Sequence, residues 1–326
     1  MTSRRAFLCA ALALASARLA AQERAKVRRI GFLDPVSYRA HAANVEQFRR
    51  GLSELGYDEG GNLAIEYRSA EGRRERLSQL AGELVRGDVE LIVTSGTPAT
   101  LAAKTAAAGR IPVVTAMIVD PVETRLIDSF EQPGWNVTGV AVVVAELEAR
   151  RIELLQALAP GRKHLAAIMD MGNPAFVSAW RAIEPVARER GLDATLIDVH
   201  RPDDMPRAFQ TALRRGADAV IVRFGSITPA QRAAIVQLAE KNRLPAIYAS
   251  RQFVDAGGLA SYGVNTPQLY YRAAAFVDKI LKGAQPSSLP MDRPSRFELI
   301  LNRRAARALN LIIPPDLLLK SDQVVG

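Results

Sequence analysis

The residues of this chain best suited to chemistry are Ser95-Gly96-Thr97-Pro98 and Asp120-Pro121, each of which follows a short apolar run and opens an amphipathic one. Pro98 fixes a first helical turn without needing an N–H, Thr97 is a natural N-cap, and Gly96 lets backbone amides approach a bound group. Free amides and the positive end of a helix favour a carboxylate or another anion. Asp120 could receive an ammonium group. Asn173-Pro174 repeats the design in the second half of the chain. For each, the alternative is a turn that only caps its own helix. Asp34, Thr115, Phe224, Tyr248 and Tyr262, on or just after apolar runs, complete the candidate ligand set. The two tyrosines could wall a cleft or stack on a ring, with packing in a core or hinge as the alternative.

Catalytic patterns are missing. His41, His164 and His200 are scattered, and there is no G-x-S-x-G elbow, H-E-x-x-H pair, cysteine pair or G-x-G-x-x-G loop. No Gly-Lys-Ser/Thr follows Gly96, so that turn is not a phosphate loop. The expectation is a binding protein rather than an enzyme, with no cofactor and no metal.

The elements that must carry these residues alternate. Val27–Leu33, Leu63–Arg68, Glu90–Thr94 and Pro112–Val119 read as strands, and His41–Leu55, Leu77–Val85 and Pro98–Ala108 as helices. The pattern then restarts. Leu165–Met169, Ala194–Val199, Ala219–Arg223 and Ala246–Tyr248 read as strands, separated by helices over Ala175–Arg190, Pro206–Arg215 and Pro229–Asn242. Short strands separated by long helices imply parallel sheets with right-handed crossovers. The halves also echo each other in detail: a Thr-Pro helix start follows the third strand of each, and Arg-x-Pro precedes the fourth. The fold class expected is α/β, with two doubly wound parallel-sheet lobes and a ligand cleft between them. One lobe takes residues 27–140 with about 265–290, the other 141–264 with about 295–326. Helix Leu269–Lys282 and strand Phe297–Leu301 must return to the sheets or bridge them.

Composition suits this reading: 48% of residues are hydrophobic and only 6% aromatic, as in an Ala-rich α/β protein. The formal charge is +9, but basic residues are interleaved with acidic ones, as in Arg73-Arg74-Glu75-Arg76. No block of five like charges occurs, so a solvated surface is expected rather than a nucleic-acid partner. At the N-terminus Ser3-Arg4-Arg5-Ala6-Phe7-Leu8 leads into an apolar run and then small residues, the anatomy of an export signal over residues 1–21. The pattern fits both a general secretory leader and the twin-arginine type. The single cysteine, Cys9, lies inside it, without the Leu-Ala-Gly-like run of a lipoprotein anchor.

An ordered series of segments carries a resemblance. Leu55-Gly56-Tyr57-Asp58-Glu59-Gly60-Gly61-Asn62 is followed by Ile65-Glu66-Tyr67-Arg68, Gly96-Thr97-Pro98 and Asp120-Pro121-Val122. Then come Pro133-Gly134-Trp135-Asn136-Val137-Thr138-Gly139, Arg151-Ile152-Glu153-Leu154-Leu155 and Ala256-Gly257-Gly258-Leu259-Ala260-Ser261-Tyr262-Gly263. Ile313-Pro314-Pro315-Asp316-Leu317-Leu318 closes the series. From Val27 to Val325 the chain resembles the ABC-transporter substrate-binding proteins related to the tryptophan-binding protein TrpX. The resemblance implies a type I periplasmic binding fold and a receptor that delivers a small solute, in assigned members an aromatic amino acid, to an inner-membrane permease; a periplasmic location and a monomer are expected. Three positions depart from the family pattern: Arg125 where Gly is usual, Leu33-Asp34-Pro35-Val36-Ser37 where a serine-rich turn is common, and Arg223-Phe224-Gly225 where Asp-Pro is frequent.

Overall fold

The computed structural model describes residues 27–223 and 229–326; the leader and Phe224 lie outside that range. The first half runs β1 (Arg28–Asp34), α1 (Tyr38–Glu54), β2 (Leu63–Ser69), α2 (Leu77–Arg86), β3 (Leu91–Ser95), α3 (Gly96–Ala107), β4 (Val113–Val119) and β5 (Val137–Val142). The second runs α4 (Ala145–Leu158), β6 (His164–Met169), α5 (Pro174–Glu189), β7 (Asp193–Asp198), α6 (Met205–Arg214), β8 (Ala219–Arg223), α7 (Pro229–Lys241), β9 (Ala246–Tyr248), α8 (Arg251–Asp255) and β10 (Ala260–Gly263). α9 (Thr266–Leu281), β11 (Glu298–Asn302), α10 (Arg303–Ala308), α11 (Pro315–Lys320) and β12 (Gln323–Val325) close the chain.

One sheet is wholly parallel, in the order β2-β1-β3-β4-β5. The other has the order β12-β11-β10-β9-β8-β6-β7 and is parallel except where β10 meets β11. Strand residues alternate between two buried faces, which is why the strands read as continuous apolar runs. In the first sheet Ile30, Phe32 and Val93 face Phe48 of α1 and Tyr270 of α9. Leu33 and Ile92 face Leu80 of α2 and Ala99 of α3. α1 and α9 approach closely at Gly51, where an added Cβ would lie 2.7 Å from the Tyr271 carbonyl oxygen and 2.8 Å from the Ala274 Cβ.

The chain passes between the sheets three times: between β5 and α4, between β10 and α9, and again before β11. The third passage starts from the first sheet, since the Asp292 amide donates to the Gly139 carbonyl at 2.8 Å and the Ala141 amide donates to the Asp292 carbonyl at 2.8 Å. Tyr262, beside the second passage, packs against the core of each lobe.

Candidate functional site

Crevice residues come from the carboxyl ends of strands in both sheets, where open α/β sheets bind ligands. The lobes touch there: α3 meets α5, and Arg74, just after β2, places Nη2 3.3 Å from Asp170 Oδ1, just after β6.

On the first lobe α3 begins directly from β3. Gly96 has φ +78°, a left-handed conformation, and an added Cβ would meet nothing closer than Pro98 Cδ at 4.0 Å. The expected cap differs from the observed one. Ser95 holds the cap position without a side-chain cap bond, and its Oγ accepts from the buried Tyr270 hydroxyl. Thr97 does not cap: its hydroxyl is turned toward the Val119 carbonyl at 3.4 Å. What the helix start offers a ligand is therefore its amides. Two substitutions should separate amide from hydroxyl. Gly96→Ala should weaken ligand binding markedly, because a non-glycine residue at this φ costs about 1–2 kcal/mol and moves the amides. Thr97→Ala should stay within roughly threefold of wild type, since its bond is long and internal. Calorimetric titration of both variants checks this, and the reverse order would restore the hydroxyl as the contact.

Thr115 is wholly buried beneath the helix start. Its hydroxyl lies 3.4 Å from that of Thr100, which in turn is 2.8 Å from the Thr94 hydroxyl and donates to the Gly96 carbonyl at 2.9 Å. It supports the turn and does not reach the crevice. Asp34 is equally committed: its carboxylate accepts from the Tyr67 hydroxyl at 2.7 Å and the Val36 amide at 3.1 Å, and pairs with His41 Nδ1 at 3.0 Å. This wholly buried carboxylate orders the lip of the first lobe.

Asp120 follows β4, the neighbour of β3, with φ +43°, and its Oδ1 accepts from the Val144 amide at 3.1 Å. Burial pushes its carboxyl up to about 6; Glu123 and Glu148 push the same way, and the Val144 amide and Arg223 oppose them. Asn173 is a helix cap, accepting from the Ala175 amide at 3.1 Å. Tyr248 is a core residue rather than a cleft wall: it is 1% exposed, and its ring stacks on Phe253 at 4.4 Å. Tyr262 is half-buried at the passage between lobes, and its carbonyl accepts from Arg151 Nε at 2.7 Å.

The second lobe adds charged residues absent from the candidate set. Glu148, in the first turn of α4, is wholly buried. Its Oε1 accepts from Arg151 Nη1 at 2.6 Å and lies 3.4 Å from Arg223 Nε, while Oε2 has no hydrogen-bond partner among the described residues. Arg223 ends β8 with its guanidinium carbon 5.4 Å from the Phe176 ring centre. A charge closing a buried apolar strand was the sequence signal for Arg223; Glu148 and Arg151 carried none. A groove of about 640 Å³ lies elsewhere, beside the hinge between Gln47, Arg50, Arg251 and Asn265.

Two doubly wound lobes, joined by three passages and meeting at their strand ends, define the type I periplasmic binding fold. The chain belongs to the ABC transporter substrate binding protein family, whose model matches residues 29–325. It is similar to a tyrosine-binding protein of Clostridioides difficile (strain R20291), 23% identical over 286 residues that cover 88% of this chain and 82% of that protein. Among solved structures, an ABC domain from Streptococcus pneumonia in complex with L-Trp matches with a TM-score of 0.84 at 25% identity, over 91% of this chain and 99% of that one. A conserved domain protein from Vibrio cholerae O1 biovar El Tor matches with a TM-score of 0.85 at 25% identity, over 92% and 100%.

Proposed function

We propose that this substrate-binding protein captures an amino acid, aromatic in type, by closing its lobes, and passes it unchanged to an inner-membrane permease after export. The observation that carries the reading is the placement of two complementary groups on adjacent strand ends: the α3 amides for a carboxylate and the buried Asp120 for an ammonium. The relatives that bind tyrosine and L-Trp support the ligand class. Closure follows from a ligand that touches both lobes and so binds the closed state better. The test is calorimetry and thermal shift with the twenty common amino acids. A ligand at 100 times its Kd should add about 2.7 kcal/mol of stability. Stoichiometry near one is expected, with the solute recovered intact. Recovery of an altered product, or no binding by any amino acid, would sink the reading.

A further inference from the structure

Glu148 offers one carboxylate to two guanidiniums, those of Arg151 and Arg223, and its Oε1 serves both. Arg151 is well satisfied: Nε donates to the Tyr262 carbonyl and Nη1 to Glu148. Arg223 is not. Its Nε is buried and lies 3.4 Å from Glu148 Oε1 without a formed hydrogen bond, and its Nη atoms donate to none of the described residues. The side chain is only 8% exposed, so water compensates it poorly.

Position decides what can compensate it. Arg223 stands at the carboxyl end of β8, beside Phe176 in the first turn of α5, and near enough to Asp120 of the other lobe to lower its pKa. Arg223 thus ends a strand of the second lobe at the crevice, and α5, which carries Phe176, is the helix that meets α3 of the first lobe.

We propose that Arg223 is the second lobe's clamp on the ligand carboxylate, so that one carboxylate is held by the Gly96 and Thr97 amides on one side and by Arg223 Nη1 and Nη2 on the other. This rests on the amino acid reading above. Charge balance within the cluster supports it. With a ligand ammonium at Asp120, the positive groups are Arg151, Arg223 and the ammonium, and the protein carboxylates are Asp120 and Glu148. The ligand carboxylate completes the balance and reaches the Arg223 Nη atoms, which donate to none of the described residues. A guanidinium is the side chain suited to this, since its paired N–H groups match a carboxylate in the plane. The same carboxylate then ties the lobes together, making Arg223 the residue that couples binding to closure.

The experiment compares each acid with the amine that lacks only the carboxylate: L-tyrosine with tyramine and L-tryptophan with tryptamine, on the wild type, Arg223→Met and Arg223→Lys. The wild type should prefer the acid. In Arg223→Met that preference should fall about tenfold, the worth of one charge-assisted contact, with the amine bound as before. Arg223→Lys should fall between, keeping the charge without the fork, and it reads the same ratio if Arg223→Met does not fold. If acid and amine weaken equally, Arg223 serves only Glu148 and the inference is overturned while the amino acid reading stands. An unchanged ratio overturns it in the same way. If the wild type binds no amino acid, both fall together.

Discussion

Asp120→Asn is expected to weaken capture of an amino acid by about 1.5–3 kcal/mol, the worth of a hydrogen bond to a charged group, without destabilising the unliganded protein. The variant keeps an oxygen for the Val144 amide, and it removes a charge whose burial is unfavourable. The wild type should show the same dependence through pH. With the carboxyl pushed up to about 6, a proton competes with the ligand ammonium. Affinity should be flat above about pH 6 and fall by up to roughly tenfold per unit below it. The unliganded fold responds in the opposite sense. A carboxyl raised from 3.8 to about 6 binds its proton more readily folded than unfolded, so stability rises as pH falls through about 6 and levels off below the unfolded value. Glu123, Glu148 and Arg223 are the charges that bear on this titration. Titrations from pH 5 to 8 on both proteins check it, and a slope that survives in Asp120→Asn would assign the proton to another group.

Glu148→Ala should be the most destabilising single change in the crevice. It leaves Arg151 and Arg223 buried without their shared carboxylate, and stranding a buried charge costs about 3–5 kcal/mol. At roughly 2–4 °C per kcal/mol, the melting temperature should drop by about 10 °C. Adding Arg223→Met should recover part of the loss, because it removes one of the two stranded charges. Thermal melts of the two single variants and the double variant test this as a cycle. Simple additivity would mean that Glu148 and Arg223 do not interact.

The fold class was legible because both faces of each sheet are covered, so strands such as β3 and β8 are buried at every position, open on continuous apolar runs and stand out between long helices. The same uniformity hid which strand-end side chains face the crevice. Ile247 and Tyr248 differ by one residue and enter opposite cores, and nothing in Ala246-Ile247-Tyr248 says which way the ring turns. α4 was missed for another reason. Its buried face includes Glu148 and Arg151, so the apolar stripe that marks a helix is interrupted by charges paired to each other. β5 is not among the expected strands and straddles the lobe limit placed at residue 140, because the chain leaves the first lobe almost at once after it. Arg125, noted as standing where glycine is usual, has φ +56°, the conformation glycine adopts most readily. There the departure from the family pattern puts a side chain where the backbone conformation favours glycine.

The placement of α9 has a consequence for how the chain is made. The first sheet is complete at Val142, yet α9, which shares with α1 the cover over Phe32, Val93 and Val140, does not begin until Thr266. A ribosome synthesising the chain from its N-terminus must therefore produce five of the second sheet's seven strands, β6 to β10, before the first core can close. At about 5–20 residues per second that interval lasts on the order of ten seconds. Throughout it the nascent first lobe holds open the part of that apolar face which α9 covers, and a product truncated before Thr266 would carry that patch permanently and aggregate through it.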